Sequence, residues 1–143
     1  MAVTATPYAT FLTDLLNGVH NLPSDTDKVA LLTSAYTPDF ANHASYADVV
    51  ANEVSGTGYT AGGNTLTGKS VSYASGTASV AAAQSTWSAL TATCRYAVIY
   101  KSTGTNSTSK LIGLVDFGAD RTYAGDPLEL SFPGGAVTIG AGS

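Results

Sequence analysis

The segment Thr91–Lys101, TATCRYAVIYK, constrains the fold more than any other stretch of the chain. Successive side chains of a strand point to opposite faces. Cys94, Tyr96, Val98 and Tyr100 therefore share one face, and Arg95, Ala97, Ile99 and Lys101 the other. The β-branched and aromatic residues suit a pleated, half-buried surface. A polar hairpin loop, Ser102–Ser109, follows, and Lys110–Phe117, KLIGLVDF, returns as a central strand.

The flanking sequence reads the same way. Lys28–Ser34 is a buried strand, and Thr65–Ala74 alternates Leu66, Val71 and Tyr73 with polar partners. Ser75-Gly76 lies in a turn before a small-residue strand, Thr77–Ala83. Trp87 falls in a Ser/Thr-rich link. Leu128–Phe132 and Ala136–Gly140 close the chain around Pro133-Gly134-Gly135. Only the start is clearly helical. In residues 7–17 Tyr8, Phe11, Leu12, Leu15 and Leu16 have helical spacing, with Thr6 as N-cap, Pro7 as first helical residue and Gly18 as the stop. Residues 45–51 allow one or two further turns. About seven short strands behind one amphipathic helix predict a mainly β fold. The expected architecture is a jelly-roll-like β-sandwich, one domain over 1–143, with an N-terminal arm and helix at about 1–18.

Charged residues make up 11% of the chain, against roughly 25% in an average soluble protein. The net charge is -4, and the six basic residues are scattered. No basic stripe is available for a phosphate backbone, which argues against nucleic acid as a partner. Cys94 is the only cysteine. It sits in an apolar run and reads as a buried thiol. MAVTATPYATFL has no basic leader followed by an apolar stretch. No window approaches the roughly 18 apolar residues of a membrane helix. A soluble chain made in the cytoplasm, without a membrane partner, is expected.

Several short motifs suggest chemistry. Gly63–Ser70, GNTLTGKS, fits the P-loop pattern G-x-x-x-x-G-K-[ST]. A phosphate cradle needs a buried strand before the glycines and a helix starting at the Lys-Ser. Here a glycine-rich loop precedes the motif and an alternating strand follows it. Neither nucleotide binding nor any other cofactor is expected, and Lys69 is expected on a solvated face. Asp116-Phe117-Gly118 spells the kinase DFG, but no companion kinase motif occurs. Asp39 and His43 stand four apart, as two metal ligands on a helix would. Pro38 and the lack of a nearby third ligand favour an exposed loop histidine, so no metal site is expected. No catalytic residue can be singled out.

Asn52–Gly63, NEVSGTGYTAGG, is the most distinctive stretch. It occurs with FLTDLLNG, DTDKVALLT, YTPD, Trp87, RYAVIYK and LIGLVDFG in that order. The set resembles a family of small structural proteins of tailed bacteriophages, over nearly the whole chain. The resemblance implies a non-enzymatic virion component, most of all a capsid decoration or cement protein bound to the major capsid protein. It implies a place on the capsid surface after synthesis in the host cytoplasm. A homo-oligomer is expected, with a trimer suited to three-fold lattice positions. A tail or head-fibre component is one alternative. A carbohydrate or cell-surface binding β-sandwich is another, and it would need Trp87 exposed. The N-terminal arm with Tyr8, Phe11, Leu12 and Leu15 is one candidate contact surface. The loop residues Gly56, Gly58, Tyr59, Gly62 and Gly63 are another, though a compact structural loop is the first reading of them. Glu53 is placed to accept hydrogen bonds from the loop amides.

Overall fold

The computed structural model describes residues 1–140. Two antiparallel sheets and one short helix share a hydrophobic core. The large sheet has the order β1-β7-β6-β2-β3: β1 (Thr6–Pro7), β7 (Leu111–Leu130), β6 (Ser85–Lys101), β2 (Asp27–Leu32) and β3 (Asn64–Thr65). The small sheet has the order β4-β5-β8: β4 (Ser70–Ala74), β5 (Thr77–Ala81) and β8 (Val137–Gly140). The mainly β fold with a short N-terminal helix is as expected, and the sandwich is not closed. No helix among the described residues is long and apolar enough to cross a membrane.

The helix α1 spans Ala9–Leu16, two residues shorter at its start than the apolar spacing predicts. Thr6 and Pro7 pair instead with Leu114 and Gly113, and Tyr8 becomes the N-cap. Proline lacks an N–H, so an edge strand accommodates it. Gly113 permits the pairing, since a Cβ there would stand 2.8 Å from the Ala5 Cβ. At the other end Gly18 has φ +77°, and Val19 N–H bonds Asp14 O while Gly18 N–H bonds Leu15 O. This is a Schellman stop. The extended arm before α1 ties the sheets together: Val3 N–H bonds Ser131 O, and Ala5 N–H bonds Ala136 O.

The hairpin of β6 and β7 is much longer than its apolar text suggests. β6 begins at Ser85, so Trp87 lies within the strand and not in a link. β7 runs past Phe117 for thirteen more residues, to Leu130. Register slips make this possible. Cys94 faces Arg121 and Tyr96 faces Asp116, so residues 117–120 bulge out opposite Arg95. Gly118 at φ +84° turns this bulge, and Asp116 fastens it by accepting from Gly118 N–H and Arg95 Nε, both at 2.8 Å. The DFG triplet is therefore a bulge. Between Tyr96 and Tyr100 both sets of alternating side chains are buried, because this part of β6 is the centre of the large sheet.

The expected strand Thr65–Ala74 is split. Its first residues belong to the large sheet and its last to the small one, with Gly68 at φ +62° between them. Leu66 is buried, whereas Val71 and Tyr73 are exposed. Ser75 (φ +51°) and Gly76 (φ +80°) then close β4 onto β5. Positive φ at both positions is the requirement of a two-residue type I′ turn. Residues 46–48 and 50–52 form two single 3-10 turns where one or two helical turns are expected.

Candidate functional site

The NEVSGTGYTAGG segment is held as a clamp along the large sheet. Three of its glycines sit where no side chain fits. A Cβ on Gly56 would lie 2.0 Å from Thr91 O, on Gly58 2.0 Å from Ala89 O, and on Gly63 1.9 Å from Val29 O. Gly58, Gly62 and Gly63 also have φ near +80° to +93°, which L side chains adopt at a cost. Thr91 N–H bonds Thr57 O at 2.8 Å, so the loop occupies part of the β6 edge.

Glu53 organises the interior of this loop. Its carboxylate accepts from Tyr59 Oη at 2.5 Å and from Gly62 N–H at 2.6 Å. Tyr59 Oη in turn accepts from Leu31 N–H, and Tyr100 Oη donates to Gly62 O at 2.6 Å. Burial raises both phenols, with Glu53 next among the causes, through its hydrogen bond at Tyr59 and through its charge at Tyr100; Tyr100 is pushed up to about 12. Both hydroxyls therefore stay protonated donors at neutral pH. Tyr59 also stacks on Trp87, and Tyr46 on Tyr100. The Glu53 carboxylate, the Tyr59 and Tyr100 hydroxyls and the Gly62 backbone are engaged with one another, so the arrangement stiffens a loop.

Lys69 corrects the sequence reading. It is not solvated: its side chain is 6% exposed and its Nζ lies 2.9 Å from Asp27 Oδ2, on a carboxylate 2% exposed. The ammonium also donates to Asp25 O. Asp27 is pushed up from the usual carboxylate range, first by burial, while the Lys69 bond opposes that shift. The lysine of GNTLTGKS thus pins the sheet-switching segment to the start of β2. The residues after it are the edge strand β4, so no helix N-terminus faces the loop as a phosphate cradle requires.

The histidines also differ from a solvated loop. His43 is half-buried, and its Nδ1 is 2.8 Å from Tyr36 Oη, which is 2.9 Å from Tyr8 Oη. This chain of polar groups ties the start of α1 to the 36–43 loop. Asp39 caps Asn42. Among the described residues no three His, Cys, Asp or Glu side chains gather as metal ligands. His20 is buried in the wall of an apolar cleft beside α1.

The proposed contact residues separate clearly. Tyr8 and Phe11 are fully buried and therefore corrected as contact residues: they anchor α1 to the core. Leu15 is partly buried in the cleft wall, while Leu12 is 40% and Leu16 89% exposed. Gly56 and Gly58 reach the surface, with Tyr59, Gly62 and Gly63 half-buried beneath them. Trp87 is 4% exposed and offers no sugar platform. The chain matches no protein-family model, no curated protein and no solved structure. Sequence reasoning missed the cleft, because its walls come from α1, the turn after it, and three strands. It also missed the Lys69–Asp27 pair, whose members are far apart in sequence.

Proposed function

We propose that this protein is a non-enzymatic structural component of a phage virion, a capsid decoration protein that binds the major capsid protein. The observation carrying this reading is how the distinctive loop spends its residues. NEVSGTGYTAGG, the block most specific to the resemblance, uses its glycines for backbone contact and its Glu and Tyr for internal bonds. Its spacing is explained by a rigid shape and needs no substrate. Rigidity matters for a lattice binder, because many weak contacts add up only if each copy presents the same surface. The exposed tip of the loop around Gly56–Gly58 and the Leu12–Leu16 edge of α1 are the contact surfaces under this proposal. A surface with few charges favours shape and apolar contact over electrostatic steering. The partners are the major capsid protein and further copies of the chain, a trimer suiting three-fold positions, with no nucleic acid, nucleotide, membrane or cofactor involved.

The test is to add the purified protein to phage heads that lack it and to separate bound from free by sedimentation. Saturable binding at hundreds of copies per head is expected. A few to a dozen copies would move the protein to the tail or a vertex. No binding to heads would overturn the decoration reading.

A further inference from the structure

The small sheet is covered over only part of one face. Val71, Val80 and Val137 lie in one register row, and Tyr73, Ala78 and Ile139 in the next. Paired residues of an antiparallel sheet share a face, as do residues two apart, so the six make one apolar patch. Val80 and Val137 are buried, but toward the free edge Val71 is 50% and Tyr73 67% exposed. Phe11 and Leu15 of α1, with Leu22, stand opposite, and the cleft between has a volume of about 440 Å³. That size falls within the roughly 300–1,000 Å³ of small-molecule sites.

His20 is the feature that gives the cleft a chemistry. It is 7% exposed, and neither ring nitrogen has a hydrogen-bond partner among the described residues. Its ring stands edge-on to Phe11 at 5.0 Å between centroids. Burial is the main effect on its pKa and lowers it, so the ring is neutral at pH 7, with one donor and one acceptor. Buried polar groups normally have partners. Both nitrogens are shielded from solvent, so bonding a ligand in the cleft requires a turn of the ring about its broad Cβ–Cγ torsion. Among the described residues no Asp, Glu, Lys or Arg lines the cleft, so none of them balances a charged ligand there.

We propose that this cleft binds a small, uncharged apolar molecule carrying one hydroxyl, with the hydroxyl bonded to a ring nitrogen of His20. The proposal does not rest on the lattice contacts, although α1 borders both surfaces. Two matched probes test it: p-cresol, and toluene, which has the same ring and methyl group but no hydroxyl. Each is titrated into the intact protein and followed by NMR of the His20 ring nitrogens. Saturable p-cresol binding is expected, shifting a His20 nitrogen resonance and at least tenfold tighter than toluene, since a site built around a hydroxyl rejects the analogue lacking it. His20→Phe should remove that preference, and Ala78→Phe, which fills the cleft from β5, should abolish binding of both probes. The proposal is overturned if p-cresol does not saturate by several millimolar. It is equally overturned if toluene binds the wild type as well as p-cresol does, or if His20 resonances stay fixed, as they would if water alone meets the nitrogens. Since the probe comparison is made on the wild-type protein, poor folding of either variant leaves the test intact.

Discussion

Replacing Lys69 with methionine isolates the one buried ion pair found among the described residues. Methionine keeps most of the apolar stem and removes the ammonium. Asp27 is then left 2% exposed, with Oδ1 already unpartnered among the described residues and Oδ2 newly so. Removing one member of a buried pair costs about 3–5 kcal/mol, because the remaining charge has lost both water and partner. Against a total stability of about 5–15 kcal/mol that is a large fraction. In a chain of this size it corresponds to a melting temperature lower by about 10–15 °C. Urea titration followed by the fluorescence of Trp87, the single tryptophan, measures it directly. Without Lys69, the Asp27 carboxyl loses the contact that opposed its upward shift. Its folded pKa then lies further above the unfolded value, so stability is greatest in acid and falls as pH rises through the folded pKa. Lys69→Met should accordingly be less damaging at pH 5 than at pH 8. The double variant Lys69→Met/Asp27→Leu should recover most of the loss, since replacing both charges with apolar groups is often neutral. A cost below about 1 kcal/mol for Lys69→Met, the value of an exposed pair, would refute the burial argument.

Three further outcomes follow from the packing. Gly63→Ala should cost more than Gly76→Ala although both have φ +80°; the shared backbone strain is about 1–2 kcal/mol, and the Val29 O contact adds about 1–3 kcal/mol at Gly63 alone, read by chemical denaturation. Cys94 is fully buried and its thiol is pushed up to about 11, chiefly by burial. It should resist iodoacetamide at pH 8 in the native protein and react once unfolded, as intact mass will show. His20 is lowered from its ordinary 6.5 by burial, so the unfolded chain takes up the proton first as pH falls. Stability present above pH 6.5 should decline as pH drops through the folded pKa, and His20→Phe should flatten that decline between pH 7 and 5 in denaturation curves.

What could be read from the text depended on contrast between neighbouring residues. RYAVIYK and LIGLVDF stand out because long apolar side chains mark a strand whether it is covered on one face or both. The continuation of β7 through FGADRTYAGDP did not, because its Gly, Asp and Pro are turn residues in most settings. Here they serve bulges: Gly118 and Gly125, at φ +84° and +80°, let the strand slip register against β6 and go on pairing. The helix starts two residues later than its apolar spacing indicates for a related reason. Pro7 is equally suited to a first helical turn and to a sheet edge, and pairing with Gly113 decides between them.

The residues around the P-loop match show the same division. The sequence by itself determined that a strand and not a helix follows GNTLTGKS, since period and glycine placement are local properties of the chain. It also determined that the fold is mainly β, with an amphipathic helix in front. The tertiary structure alone decided what the individual residues do. It buried Lys69 on Asp27, 42 positions away, and pressed Gly56, Gly58 and Gly63 against carbonyls of β6 and β2. It sank Tyr8 and Phe11 into the core, and it set His20 in a cleft whose walls come from five segments. A local pattern reports which face of an element is apolar. What that face meets depends on contacts between residues distant in the chain, and those form only when the sheets are assembled.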